Sequence, residues 1–85
     1  MSEPQGFPPE TRAQLVALKG VGPTVVSRLE QIGFRDLAQL ARCEAADLTL
    51  QIARMMGSTC WHNSPQAHAA IQAIIDFARS QSPAD

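Results

Sequence analysis

Apolar residues recur along this chain at three- and four-residue spacing, in runs broken by glycine, proline or small polar residues. That spacing puts them on one face of a helix each time. Pro8-Pro9, followed by Glu10 and Thr11, opens the first run, which carries Leu15 and Leu18 and closes at Gly20. Pro23 opens the second, with Val25, Val26, Leu29 and Ile32 ahead of Gly33 and an apolar plug at Phe34. Leu37 and Leu40 mark a short third helix behind Asp36, a good N-cap residue. A longer fourth places Leu48, Ile52, Met55 and Met56 on one side and stops at Gly57. Ser64-Pro65 starts the last, whose stripe is Ala67, Ala70, Ile71, Ile74, Ile75 and Ala78, with Phe77 on its flank. The expectation is an all-α fold of five short helices, the last one covering the other four.

The densest information lies in Leu15 to Leu29, where Gly20-Val21-Gly22 interrupts a helical pattern that Pro23 restarts at once. Glycine ends a helix cheaply because it accepts a left-handed backbone, and proline suits the first helical position, where its missing N–H is no loss. Val21 is apolar and fits into the angle between the two helices. The result is a tight helical hairpin. Bare amides at the start of a helix, at the positive end of its dipole, form a ready anion site. The candidates are the amides of Gly20, Gly22, Thr24 and Val25, with Val21 seated between them and Lys19 and Arg28 as nearby charges. The same residues also serve a plainer purpose, a sharp turn that packs two helices.

These residues resemble the helix-hairpin-helix motif, which has an apolar pair three apart, glycine-hydrophobic-glycine, proline, a small polar residue and a second amphipathic helix. Leu15, Leu18, Gly20, Val21, Gly22, Pro23, Thr24 and Leu29 all fit. The resemblance implies binding to a nucleic-acid backbone without reading base sequence. Some members of the superfamily hold a monovalent cation on hairpin carbonyls, which here correspond to Val16, Leu18 and Val21. The second helix pair echoes the first but has Arg42-Cys43-Glu44-Ala45 where the glycines would stand. With Glu44 and Asp47 near its helix start, it would repel a phosphate. Two such pairs in related proteins make a tandem helix-hairpin-helix (SAM-like) unit, here with one intact and one degenerate hairpin.

From about Pro8 to Ala78 the chain also resembles small bacterial pathogenicity-locus proteins, many of them labelled as mitomycin-resistance proteins. The shared features are the Leu-x-x-Leu-x-Gly-Val-Gly opening, the Gly33-Phe34 connector, Leu37-x-x-Leu40, the Asp47-Leu48 helix and the segment from Gly57 to Cys60. The resemblance implies a stand-alone protein linked to DNA damage or DNA processing. Trp61-His62-Asn63-Ser64-Pro65 departs from it most.

Composition narrows the functional classes. At 85 residues the chain allows one domain, over 8–80, with a flexible arm at 1–7 and a flexible tail at 81–85. Seven Lys plus Arg stand against eight Asp plus Glu, a net charge of −1, so strong DNA binding at physiological salt is not expected. Arg12, Lys19, Arg28, Arg35, Arg42 and Arg54 are nonetheless spread through the helical region and allow a locally basic face. A protein-interaction module that keeps the fold without nucleic acid is the rival reading, favoured by that charge balance and by Met55, Met56 and Trp61. No stretch is apolar enough to span a membrane or resembles a secretory signal, so a cytoplasmic protein is expected, with Cys43 and Cys60 as reduced thiols. Cys60, His62, His68 and Cys43 match no common zinc spacing. Cys60 and His62 lack the orienting group and oxyanion site of a nucleophilic pair. Neither an enzyme nor a resident cofactor is expected.

Overall fold

Five helices and no strand make up residues 6–57 and 63–81, the part of the chain described by the computed structural model. They are α1 (Pro9–Val16), α2 (Pro23–Gln31), α3 (Leu37–Ala41), α4 (Ala45–Met56) and α5 (Pro65–Gln81). No helix among the described residues is long and apolar enough to cross a membrane.

Local chemistry sets most of the boundaries. Pro9 takes the first position of α1, with Glu10 in its first turn. The helix stops at Val16, earlier than the expected run through Leu18 to Gly20. Its end tightens into two successive three-residue turns, Leu18 N–H to Leu15 O and Val21 N–H to Leu18 O, both at 3.1 Å. Leu18 therefore packs from a turn, half-buried. At the end of α2, Gly33 takes φ +106°, its N–H bonds Glu30 O, and the Phe34 N–H reaches back to Leu29 O at 3.1 Å. That pair of bonds is a Schellman cap, and it folds Phe34 into the core. α3 has only five residues, held by a reciprocal cap: Gln39 N–H donates to Asp36 Oδ1, and Gln39 Oε1 accepts the Asp36 N–H. On α5, Ser64 Oγ accepts the Ala67 N–H behind Pro65.

The core is aliphatic. Leu15, Val26, Leu29, Leu40, Leu48, Ile52, Ile71, Ile74 and Ile75 have no solvent exposure. α5 runs through the middle of this set, packing on α3, α4 and α2, while α1 lies on α2. Phe7, ahead of α1, is buried with them. Each such Leu or Ile contributes about 1.5–3 kcal/mol of burial, which in so small a domain makes α5 indispensable.

Two arginines tie distant segments. Arg12 Nη1 meets Glu30 Oε1 at 3.0 Å and its Nη2 donates to Ser27 Oγ at 3.1 Å, fixing α1 against α2. Arg79, near the end of α5, donates to the carbonyls of Ala41 (3.1 Å) and Cys43 (3.0 Å) and reaches Glu44 Oε2 at 3.5 Å.

One stripe departs from expectation. Leu48 and Ile52 of α4 are buried with Ala45, Thr49 and Ala53, but Met55 and Met56 are 40% and 42% exposed. The apolar spacing carries on to the last turn of α4, whereas burial stops at Ala53.

Candidate nucleic-acid interface

The connector between α1 and α2 contains two glycines that differ in kind. Gly20 has φ +82°, a left-handed backbone that disfavours any side chain. Gly22 has φ −110° and ψ 172°, extended geometry open to every residue, and a Cβ built on it would meet nothing within 4 Å. Folding thus requires the first glycine and only tolerates the second, at an N-cap that glycine suits but does not have to fill. Val21 is buried between them, pinning the connector to the core.

Gly22 is also the N-cap of α2, a position where Ser, Thr, Asp or Asn would satisfy a first-turn amide. It has no side chain with which to do so. Pro23 follows at the first helical position, and the ladder begins only with the Val26 N–H on Gly22 O, a long bond of 3.4 Å. The amides of Thr24 and Val25 precede it. Among the described residues no acceptor takes the amides of Gly20, Gly22, Thr24 or Val25. Nor does the first turn of α2 hold an acid, so the partial positive charge at this helix end, roughly half an elementary charge, stands uncompensated. Thr24 is exposed and Val25 half-buried.

Of the two expected cations, Lys19 is exposed beside Gly20 and has no ion-pair partner among the described residues. Arg28 lies four residues beyond Thr24, on the same face of α2. Its Nη1, however, donates to Gln31 Oε1 at 3.1 Å, one turn further from the hairpin, and its buried Nε has no partner among the described residues. Arg12 is drawn away altogether by Glu30. Of the carbonyls nominated for a cation, that of Leu18 already accepts the Val21 amide and keeps one lone pair.

Compared with known family models, curated proteins and solved structures, the chain matches none.

The connector between α3 and α4 is built differently. Glu44 is the N-cap of α4 and Asp47 sits in its first turn, so acids compensate this helix end. The Arg79 guanidinium occupies the carbonyls of Ala41 and Cys43 on the other side. Cys43 is half-buried and its Sγ donates to Gln39 O at 3.3 Å. Burial pushes this thiol above its ordinary value, and the Asp47 carboxylate adds to the shift.

Cys60, Trp61 and His62, weighed above for metal, nucleophilic or interface roles, lie outside the described residues; His68 is exposed on α5. Two contributors escaped the sequence reading. Arg79 looks like an ordinary basic residue in a last turn. Gln66 borders a depression beside the hairpin and has no signature of its own.

Proposed function

We propose that this chain is a tandem helix-hairpin-helix unit that binds the sugar–phosphate backbone of DNA weakly and without reading sequence. Its intact hairpin, Gly20-Val21-Gly22 with the start of α2, makes the contact. Its degenerate hairpin, between α3 and α4, is architectural. The observation that carries this reading is Gly22. Glycine stands at an N-cap where neither backbone angle nor space requires it, and its bareness leaves the amides of Thr24 and Val25 without a side-chain cap. Glycine at such a position leaves room for a phosphate to approach the backbone closely, which supports the reading. Lys19 supplies the free cation, while Arg28 supports only after leaving Gln31. The role in view is that of a bacterial accessory protein in DNA processing or the response to DNA damage, a binding module rather than an enzyme.

Fluorescence anisotropy of a labelled mixed-sequence duplex, followed across salt concentrations, tests it. Binding should weaken with salt at a slope of roughly one or two phosphate contacts, and Lys19→Ala should remove about one of them. A slope near zero, or binding untouched by Gly22→Asp, overturns it.

A second reading rests on Met55 and Met56. Two adjacent methionines this exposed at a helix end suit a protein partner. On that reading the chain is an interaction module, and solution scattering at rising concentration should give a mass above the monomer that Met55→Lys with Met56→Lys abolishes.

A further inference from the structure

Beside the hairpin lies an open depression of about 360 Å³, lined by Lys19 and Gly20 from the connector and by Gln66, Ala69 and Ala70 from α5. Although the chain carries eight acids and a net charge of −1, no acid among the described residues lines this space. Among its described lining residues are one unpaired cation, one neutral amide donor and two side chains no larger than a methyl group. A volume near the low end of small-ligand sites suits a single nucleotide unit. Lys19 lines the depression and directly precedes Gly20 on the connector, so the two places adjoin along the chain.

We infer that the depression is a second subsite on the same DNA strand, taking the nucleotide next to the one whose phosphate sits on the hairpin amides. Lys19 and the Gln66 side-chain amide hold its phosphate, and its deoxyribose rests on Ala69 and Ala70. This rests on the function proposed above and goes beyond it, since it makes α5 part of the interface and gives the bound strand a path. One strand of at least two successive phosphates is then the recognised unit.

Two thymidine oligonucleotides separate the subsites, a dinucleotide with one internal phosphate and a tetranucleotide with three. In a titration of the ¹⁵N-labelled full chain at low salt, the dinucleotide should shift the amides of Gly22, Thr24 and Val25. The tetranucleotide should also shift the Gln66 side-chain NH₂ and the Ala69 and Ala70 amides, and bind several-fold more tightly. Gln66→Glu places a carboxylate in the depression and should weaken tetranucleotide binding about three- to fivefold. That change puts an acid in the first turn of α5, where it favours the helix, so the variant folds. Hairpin shifts without shifts at Gln66, Ala69 and Ala70 would overturn the second subsite and leave the hairpin reading standing. No shifts with either oligonucleotide would overturn both.

Discussion

Arg12 and Glu30, 18 positions apart, meet at 3.0 Å, and the other oxygen of the same carboxylate accepts the Phe7 N–H at 3.1 Å. One acidic side chain on α2 thereby anchors both α1 and the chain that leads into it. Gly6 lies so close that a Cβ there would stand 2.5 Å from Glu30 Oε2. Glu30→Ala should cost about 1–3 kcal/mol, because it strands a partly buried guanidinium and a backbone amide. Gly6→Ala should destabilise through both the clash and its left-handed backbone. Made together, the two changes should cost less than their sum, since truncating Glu30 removes the clash. Urea denaturation of the two single variants and the double variant measures the coupling.

The two hairpin glycines should separate stability from binding. Gly20→Ala forces a side chain into a left-handed backbone and should cost about 1–2 kcal/mol. Gly22→Asp meets no clash and supplies an N-cap, so stability should hold or rise by a few tenths of a kcal/mol. Its carboxylate nevertheless occupies the phosphate position and should abolish DNA binding. Thermal melts beside anisotropy read both quantities. A Gly22→Asp variant that unfolds would contradict the open geometry at that residue.

What could be read from sequence here was local. Gly33-Phe34, Asp36 ahead of Leu37, and Ser64-Pro65 act within one turn of chain, where capping chemistry is independent of the remainder of the fold. The stripe of α5 was equally legible, because its buried residues recur at helical spacing. Leu18 lies just past the end of the helix that its spacing predicts, since the switch from α-helical to three-residue hydrogen bonds leaves the apolar spacing intact. Met55 and Met56 fit the α4 stripe, and their spacing does not mark them as exposed. Arg12–Glu30 and Arg79 with Ala41 join positions 18 and 38 apart, and a single sequence holds no signal for either pair. At the site, the glycines marked the hairpin, but nothing distinguished the conformational need at Gly20 from its absence at Gly22. The diversion of Arg28 to Gln31 was equally silent.

Arg79 holds the α3–α4 connector, and Arg79→Met should loosen it. Its guanidinium is partly exposed, which screens the Glu44 contact, so the loss should be about 1 kcal/mol, mainly from the two carbonyl bonds. Hydrogen exchange should quicken around Cys43 and Glu44, while the affinity for DNA stays unchanged. A loss of binding would mean that the second connector touches nucleic acid after all.

Cys43 should be a sluggish thiol. Its folded pKa lies above the unfolded value, so the folded chain holds this proton more tightly. The resulting stability is fully present below the unfolded value of about 8.5 and is lost as pH rises through the folded one. Alkylation by iodoacetamide at pH 8, followed by peptide mass mapping, should modify Cys43 more slowly in the folded chain than in urea. Cys43→Ser should flatten the decline in stability above about pH 8.5. Equal rates of alkylation in both states would contradict the burial and charge assigned to this thiol.

The bare helix start at Gly22 is tested most directly by an amide NMR titration of the labelled chain with a short mixed-sequence duplex, at low and then moderate salt. Shifts at Gly20, Gly22, Thr24 and Val25 that shrink as salt rises are the expected result. An absence of shifts there at low salt would contradict the account and leave the hairpin as a turn between two helices.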